Sequence, residues 1–235
     1  PPPLPPPSPP PSSAPQPPPS PPAPPPSPHP PAAAPGTPRD VASGLDPVDP
    51  VQLIIDTDFS IDVDDVGAVC IAHALADRGE VELLAMVHDT GLEEGVGGLS
   101  VINHFYGRDF IPLGAYRGTV GAPEHTFDPD WTNHGQGWYV ADLVESFPSP
   151  IRSAADVLNA LEVYRRTLAA AADASVVVAS VGLFTNIVDL LESSADHISP
   201  LNGTELVRRK VKHLVVMGGR RDGWVEWNLC AKLNE

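Results

Sequence analysis

The sequence is poor in cysteine, in basic residues and in long apolar runs, and each shortage excludes something. Two cysteines in 235 residues, Cys70 and Cys230, give neither a disulfide framework nor a zinc-ligand spacing. Cys70 falls in an apolar stretch and reads as core. Lys and Arg number 14 against 30 Asp and Glu, a formal net charge of −16. So acidic a chain repels phosphate backbones, which argues against nucleic acid polymers as partners. No apolar run reaches the length of about 18 residues that a membrane-spanning helix needs. Aromatic residues make up 6% of the chain, and none falls in the first 38 positions.

Those 38 positions hold 23 of the 31 prolines, with Ser and Ala between them and no Val or Ile. Such a stretch cannot bury enough apolar surface to offset its ordering entropy, so residues 1–50 are expected to be a disordered, polyproline-II-like arm and linker. The arm carries only Arg39, Asp40, Asp46 and Asp49, which leaves −14 of the charge on residues 51–235. Those residues are enough for one hydrophobic core. No signal peptide is visible. The Pro-Pro-Ser-Pro repeats are similar both to the hydroxyproline-rich stalks of cell-wall proteins and to plain spacers. Cytoplasmic and extracellular or cell-wall locations therefore stay open.

What the folded part has in abundance is aspartate at one place. Asp56, Asp58, Asp62, Asp64 and Asp65 crowd into ten residues, directly after the apolar run Val51-Gln52-Leu53-Ile54-Ile55. That run reads as a buried strand. From Val66 the apolar spacing turns helical and is apolar nearly all round, as in a buried helix. The acidic cluster thus sits between the C-terminal end of a strand and the N-terminus of a helix, where open α/β sheets bind ligands. One or two Asp there would only cap the helix. Five like charges cost free energy unless a cation neutralises them, and oxygen donors without a Cys or His pair point to Ca²⁺ or Mg²⁺.

Strand and helix patterns alternate after that. Strands are expected at 81–87, 111–116, 175–181 and 212–217, the second marked by Pro112 as an edge or a strand start. Glycines 91, 95, 97 and 98 read as a loop before a helix over 99–106. Ser153-Ala154-Ala155-Asp156 is a capping-box pattern opening a helix with Val157, Leu161, Tyr164 and Leu168 on one face. Another helix follows Gly182-Leu183-Phe184-Thr185-Asn186. Residues 117–150 show little regular pattern, as functional insertions often do. The expectation is an α/β fold: an open, mostly parallel sheet flanked by helices, with right-handed crossovers. Its loops gather Asp58, Asp64, Asp65, Asp89, the Val181 carbonyl, Glu226 and Asn228 at one sheet edge.

Ile54-Ile55-Asp56-Thr57-Asp58, Asp64-Asp65-Val66-Gly67-Ala68, Val181-Gly182-Leu183-Phe184-Thr185-Asn186, Val215-Val216-Met217-Gly218-Gly219 and Glu226-Trp227-Asn228 together resemble the inosine/uridine-preferring nucleoside hydrolase family, in its order and spacing, over residues 51–228. The resemblance implies an open, Rossmann-like α/β fold, a tightly held Ca²⁺ and hydrolysis of ribonucleosides to ribose and free base. It also implies roles. Asp58 and Asp65, with the Val181 carbonyl, would ligate calcium, and Asp64 would contact the metal-bound water as general base. Asp89, Glu226 and Asn228 would hold the ribose, Asp89 standing where the family commonly has Asn. His134 falls near the family's flap and would face the base, where Trp131, Trp138 and Tyr139 could stack. The partner is then a small nucleoside, and self-association stays open.

The sequence departs from the family pattern as well. Ser60 replaces the usual Gly, and Ile61-Asp62-Val63 lengthens the loop, so that Asp62 competes for the metal. Arg220 and Arg221 occupy a short basic segment without the Asn used for the 5′ hydroxyl. Related enzymes continue past the position of Glu235, supplying a further calcium Asp and often a His that protonates the base. The domain over 51–235 is accordingly expected to be incomplete at its C-terminal end. Two other readings stay open. One is a haloacid-dehalogenase-like phosphatase with Asp56 as nucleophile, Asp58 as acid/base and Mg²⁺. The other is a non-catalytic sugar-binding domain on a Pro-rich stalk.

Overall fold

The structure, a computed structural model, describes residues 49–60, 63–118, 139–219 and 227–230. Six parallel strands form one sheet: β1 (Val51–Thr57), β2 (Val81–His88), β3 (Leu113–Ala115), β4 (Leu158–Asn159), β5 (Val176–Ser180) and β6 (Val211–Val216). Their spatial order is β4-β3-β2-β1-β5-β6. The chain builds outward from β1 through β2 to β4, then returns to the other side of β1 with β5. The order therefore reverses between β1 and β5, and such a reversal opens a crevice at the strands' C-terminal ends.

Helices cover both faces of the sheet, as the alternating strand and helix patterns require. On one side α1 (Asp64–Asp77), α2 (Gly95–Phe105) and α3 (Tyr139–Ser146) pack on a core containing Ile55, Phe59, Val69, Met86, Leu99 and Val140. On the other, α4 (Ala160–Ala170), α5 (Thr185–Glu192) and α6 (Gly203–Lys210) enclose Ile54, Val87, Tyr164, Val178, Leu190 and Leu206. A short helix, α7 (Trp227–Cys230), ends the described chain. The alternation of Ile54 and Ile55 between the two cores is the period of two that a strand buried on both faces must show.

The expected fold class is the observed one, and the differences are local. Glycines 95, 97 and 98 lie inside α2 rather than before it. A methyl group at Gly95 would fall 2.1 Å from the His88 ring, at Gly97 2.3 Å from the Arg152 carbonyl oxygen, and at Gly98 2.8 Å from Phe59. The glycines are there for close packing, not for a turn. The Ser153 capping box exists, but it closes a single 3-10 turn at Ala154–Asp156; α4 starts later, capped by Asn159. Residues 157–159 run extended between them and supply β4. Helix α1 is not buried all round: Asp65, Val69, Ala72 and His73 face inward, while Ile71 is exposed. It lies in an outer layer, so one face is all it can bury.

Arg165 of α4 ties the far side together. Its guanidinium, 2% exposed, donates to both carboxylate oxygens of Asp196 at 2.8 Å and to the Ser199 and Leu201 carbonyls at 3.2 and 3.1 Å. That bidentate pairing holds the Asp196 carboxyl below the usual carboxylate range. Arg165→Ala strands those carbonyls and leaves a cavity. It is expected to lower unfolding free energy by about 1–3 kcal/mol in urea titrations, the cost of leaving those carbonyls without a donor; an unchanged value contradicts the role.

Candidate active site: an acidic crevice between β1 and β5

Strand β1 ends in Asp56 and Thr57, and both side chains are buried. Asp56 is satisfied within the fold. Tyr164 donates its hydroxyl to Asp56 Oδ2 at 2.8 Å, and Asn186 donates Nδ2 to Oδ1 at 2.9 Å. Burial nevertheless outweighs these bonds and pushes the Asp56 carboxyl up to about 7. The same Asn186 amide donates to the His88 carbonyl at 3.2 Å, so it staples the ends of β1 and β2 to α5. Thr57 donates its hydroxyl to Asp65 Oδ1, and it accepts from the Phe59 amide at 3.2 Å. One threonine thus fixes both the turn after β1 and the first carboxylate of α1.

Asp58 follows on the turn, half-buried. Its carboxyl lies within hydrogen-bonding reach of Asp65, which is 2% exposed. Burial, with Asp64 alongside, raises the Asp65 carboxyl; the Thr57 and Asp58 contacts oppose the rise. Asp64 is the outward member of the group, exposed at the first turn of α1. Like charges in such proximity resist simultaneous ionisation.

Asp89, one residue past β2, is fully buried, and neither of its carboxylate oxygens has a hydrogen-bond partner. Its backbone is fixed twice: the amide donates to the Thr57 carbonyl at 3.1 Å, and the carbonyl accepts from the Thr185 hydroxyl at 2.6 Å. Burial raises its carboxyl well above the usual range, and Asp56, Asp58 and Asp65 add to the rise. The Leu183 amide opposes it without reaching hydrogen-bond geometry. Gly182 closes the arrangement from β5. A methyl group there would lie 2.5 Å from Asp89 Oδ2, 2.8 Å from Asp58 Oδ1 and 2.4 Å from the Asp58 amide nitrogen. Only a residue without a side chain lets these two carboxylates meet.

Val181 donates its amide to the Asp56 carbonyl at 2.8 Å, holding the loop after β5 against β1. Asn228 of α7 is buried and donates Nδ2 to the Met217 carbonyl at 3.0 Å, while its own carbonyl accepts from the Phe184 amide at 3.0 Å. Asp58, Asp65 and Asp89 are thus drawn together beside Gly182, Val181 borders them, and Asn228 joins from the β6 side. Asp62, Trp131, His134, Trp138, Arg220, Arg221 and Glu226 lie outside the described residues. Among the described residues, no three His, Cys, Asp or Glu side chains are arranged to hold a metal ion.

Sequence reasoning missed three supports. Thr57, Tyr164 and Asn186 orient the acidic cluster, and only Asn186 and Thr57 stood within a motif. The phosphatase reading fails here, since both Asp56 oxygens accept hydrogen bonds in a sealed interior and neither faces the crevice as a nucleophile must. His88 turns away beneath Gly95, and burial lowers it to about 4. His73 stacks on Tyr106 at 4.4 Å and bonds Asn103 at 2.8 Å, a structural role.

An open parallel sheet with acidic side chains at its topological switch places this chain among the α/β folds that bind ligands at that point. Residues 53–234 match the model of the inosine-uridine preferring nucleoside hydrolase family, and the chain belongs to that family. Solved structures agree on the fold. A purine-preferring ribonucleoside hydrolase from Gardnerella vaginalis superposes with a TM-score of 0.55 at 20% identity, over 78% of this chain and 55% of that one. The effector protein XOO4466 gives 0.58 at 16% identity, over 77% and 49%. The type III effector XopQ, solved with adenosine diphosphate ribose, gives 0.57 at 18%, over 75% and 46%. The chain spans about half the length of these proteins. No curated protein sequence matches it.

The buried Asp56 makes a pH prediction. Its folded-state value near 7 exceeds the 3.8 of a free carboxyl, so the folded protein holds the proton more tightly. The resulting stabilisation is full below the free value and is lost as pH rises through about 7. Urea unfolding of metal-free protein should show the wild type losing stability relative to Asp56→Asn across that window, at up to about 1.4 kcal/mol per pH unit. Parallel profiles for the two proteins contradict the shift.

Proposed function

We propose that this domain hydrolyses the N-glycosidic bond of ribonucleosides, of inosine or uridine type, to ribose and free base. Family membership supports the reaction class. The observation that carries the reading is the meeting of Asp58 and Asp89 at Gly182, with Asp65 in reach of Asp58, in the crevice between β1 and β5. The donor set suits a hard divalent cation: every group is oxygen, and two of the oxygens are buried without a partner. Asp58 and Asp65, with the Val181 carbonyl, would hold Ca²⁺. When bound, that ion makes a coordinated water more acidic and fixes its position.

The chain's own groups do the rest. Asp64, at the mouth of the crevice, accepts the attacking water's proton on a carboxylate oxygen. Glu226 and Asn228 grip the ribose hydroxyls and orient the sugar carbon toward that water. Positive charge developing on the sugar is stabilised by the carboxylates around it, as an oxocarbenium-like transition state requires. His134 would meet the departing base. The uncharged substrate suits a domain of such negative charge, which repels phosphorylated competitors.

Release of ribose from inosine and uridine, measured with and without chelator, tests this. Turnover should need added Ca²⁺ and stop on chelation. Asp64→Asn should cut kcat by about 10²–10⁴-fold while Ca²⁺ binding survives. Chelator-insensitive turnover contradicts the metal. Wild-type rates in Asp64→Asn, with a dead Asp58→Asn that still binds Ca²⁺, would move the base to Asp58.

A further inference from the structure

Asn202-Gly203-Thr204 has the form Asn-x-Ser/Thr, with x other than Pro, that accepts N-linked sugar. Of the chain's asparagines, only Asn202 is followed two residues on by Ser or Thr. So short a pattern also arises by chance, and the surroundings of the side chain decide its meaning. Asn202 is exposed and caps α6. Its Oδ1 accepts from the Glu205 amide at 2.9 Å, and its own amide donates to the Glu205 carboxylate at 3.1 Å. The cap uses the side-chain oxygen alone. Nδ2 donates no hydrogen bond among the described residues. An aspartate would cap the helix as well, so the capping role does not call for that nitrogen. Its two neighbours seat the turn against the end of α5. A methyl group at Gly203 would fall 1.5 Å from the Leu190 carbonyl oxygen, and Thr204 donates its hydroxyl to the Leu191 carbonyl at 3.0 Å. Asn202 is left at the surface.

We propose that Asn202 is an acceptor site for an N-linked oligosaccharide. In the transfer, Nδ2 bonds to the anomeric carbon of a sugar carried on a lipid diphosphate. The bond from that carbon to the phosphate breaks, the lipid diphosphate leaves, and Nδ2 gives up one proton to solvent. Neither partner is oxidised or reduced. The amide oxygen is untouched, so the cap on α6 survives the modification. A glycan is bulky and solvated and needs a surface position, which Asn202 has. The position also leaves the crevice clear. Thr185 and Asn186, at the start of α5, bond to Asp89 and Asp56, whereas Gly203 and Thr204 pack on its last turn. Glycan and crevice thus belong to opposite ends of one helix, and the assignment is independent of the hydrolysis proposed above.

Translation of the full chain behind a cleavable signal sequence, with endoplasmic reticulum microsomes present, tests the assignment on the protease-protected product. The wild type is expected to carry an added mass that peptide N-glycosidase removes, converting the modified Asn202 to aspartate as read by peptide mapping. Asn202→Asp keeps the helix cap and Thr204→Ala keeps the acceptor amide; both should lose the added mass, while Thr204→Ser should retain it. A wild-type product left unmodified by microsomes that glycosylate a control protein overturns the assignment. An added mass that persists in Asn202→Asp overturns it too, by placing the sugar elsewhere.

Discussion

Carboxylates of like charge, buried or half-buried at the C-terminal ends of two adjacent strands, set the terms for everything else in this domain. Asp56, Asp65 and Asp89 are buried and Asp58 is half-buried, and each resists the ionisation of the others. The fold meets this demand in two ways. Asp56 has both oxygens hydrogen-bonded, enclosed between Tyr164 and Asn186, and burial favours its protonated form. Asp58, Asp65 and Asp89 are not enclosed in that manner. They are aimed toward one another, an arrangement whose cost falls sharply once a cation enters.

The sheet's topology makes that aim achievable. Because the strand order reverses between β1 and β5, their two following loops diverge and leave room that a continuous run of crossovers would fill. Gly182 stands in that room and contributes backbone only. Thr57, Thr185 and Asn186 work as fasteners, Thr57 bonding to Asp65 at the start of α1 and the other two to backbone carbonyls at the end of β2. The separate Arg165–Asp196 system on the α4 side holds another part of the domain and leaves the crevice alone. Stability and chemistry are therefore assigned to different polar networks, and changes in one need not disturb the other.

The sequence disclosed the parts whose signal is local. Val51 to Ile55 read as a buried strand because a strand covered on both faces is apolar at consecutive positions, and Asp58 and Asp65 read as a cluster because they are neighbours in the chain. What it hid depends on distant partners. Gly95, Gly97 and Gly98 look like a loop until His88, Arg152 and Phe59 are seen pressing against them. Tyr164 looked like one more apolar position of a helix, yet its hydroxyl crosses the core to Asp56. Asp89 and Gly182 are far apart in sequence, so their contact could not be read from either. Ile71 misled in the other direction: an apolar residue on an outer helix has no obligation to be buried.

A crystal of the protein grown with Ca²⁺ would test the central claim most directly, read from anomalous scattering at the ion and from the oxygens around it. The account predicts one ion at the C-terminal end of β1, with carboxylate oxygens of Asp58 and Asp65 within about 2.6 Å of it. A crevice without density at saturating Ca²⁺, or an ion held elsewhere on the domain, would contradict it.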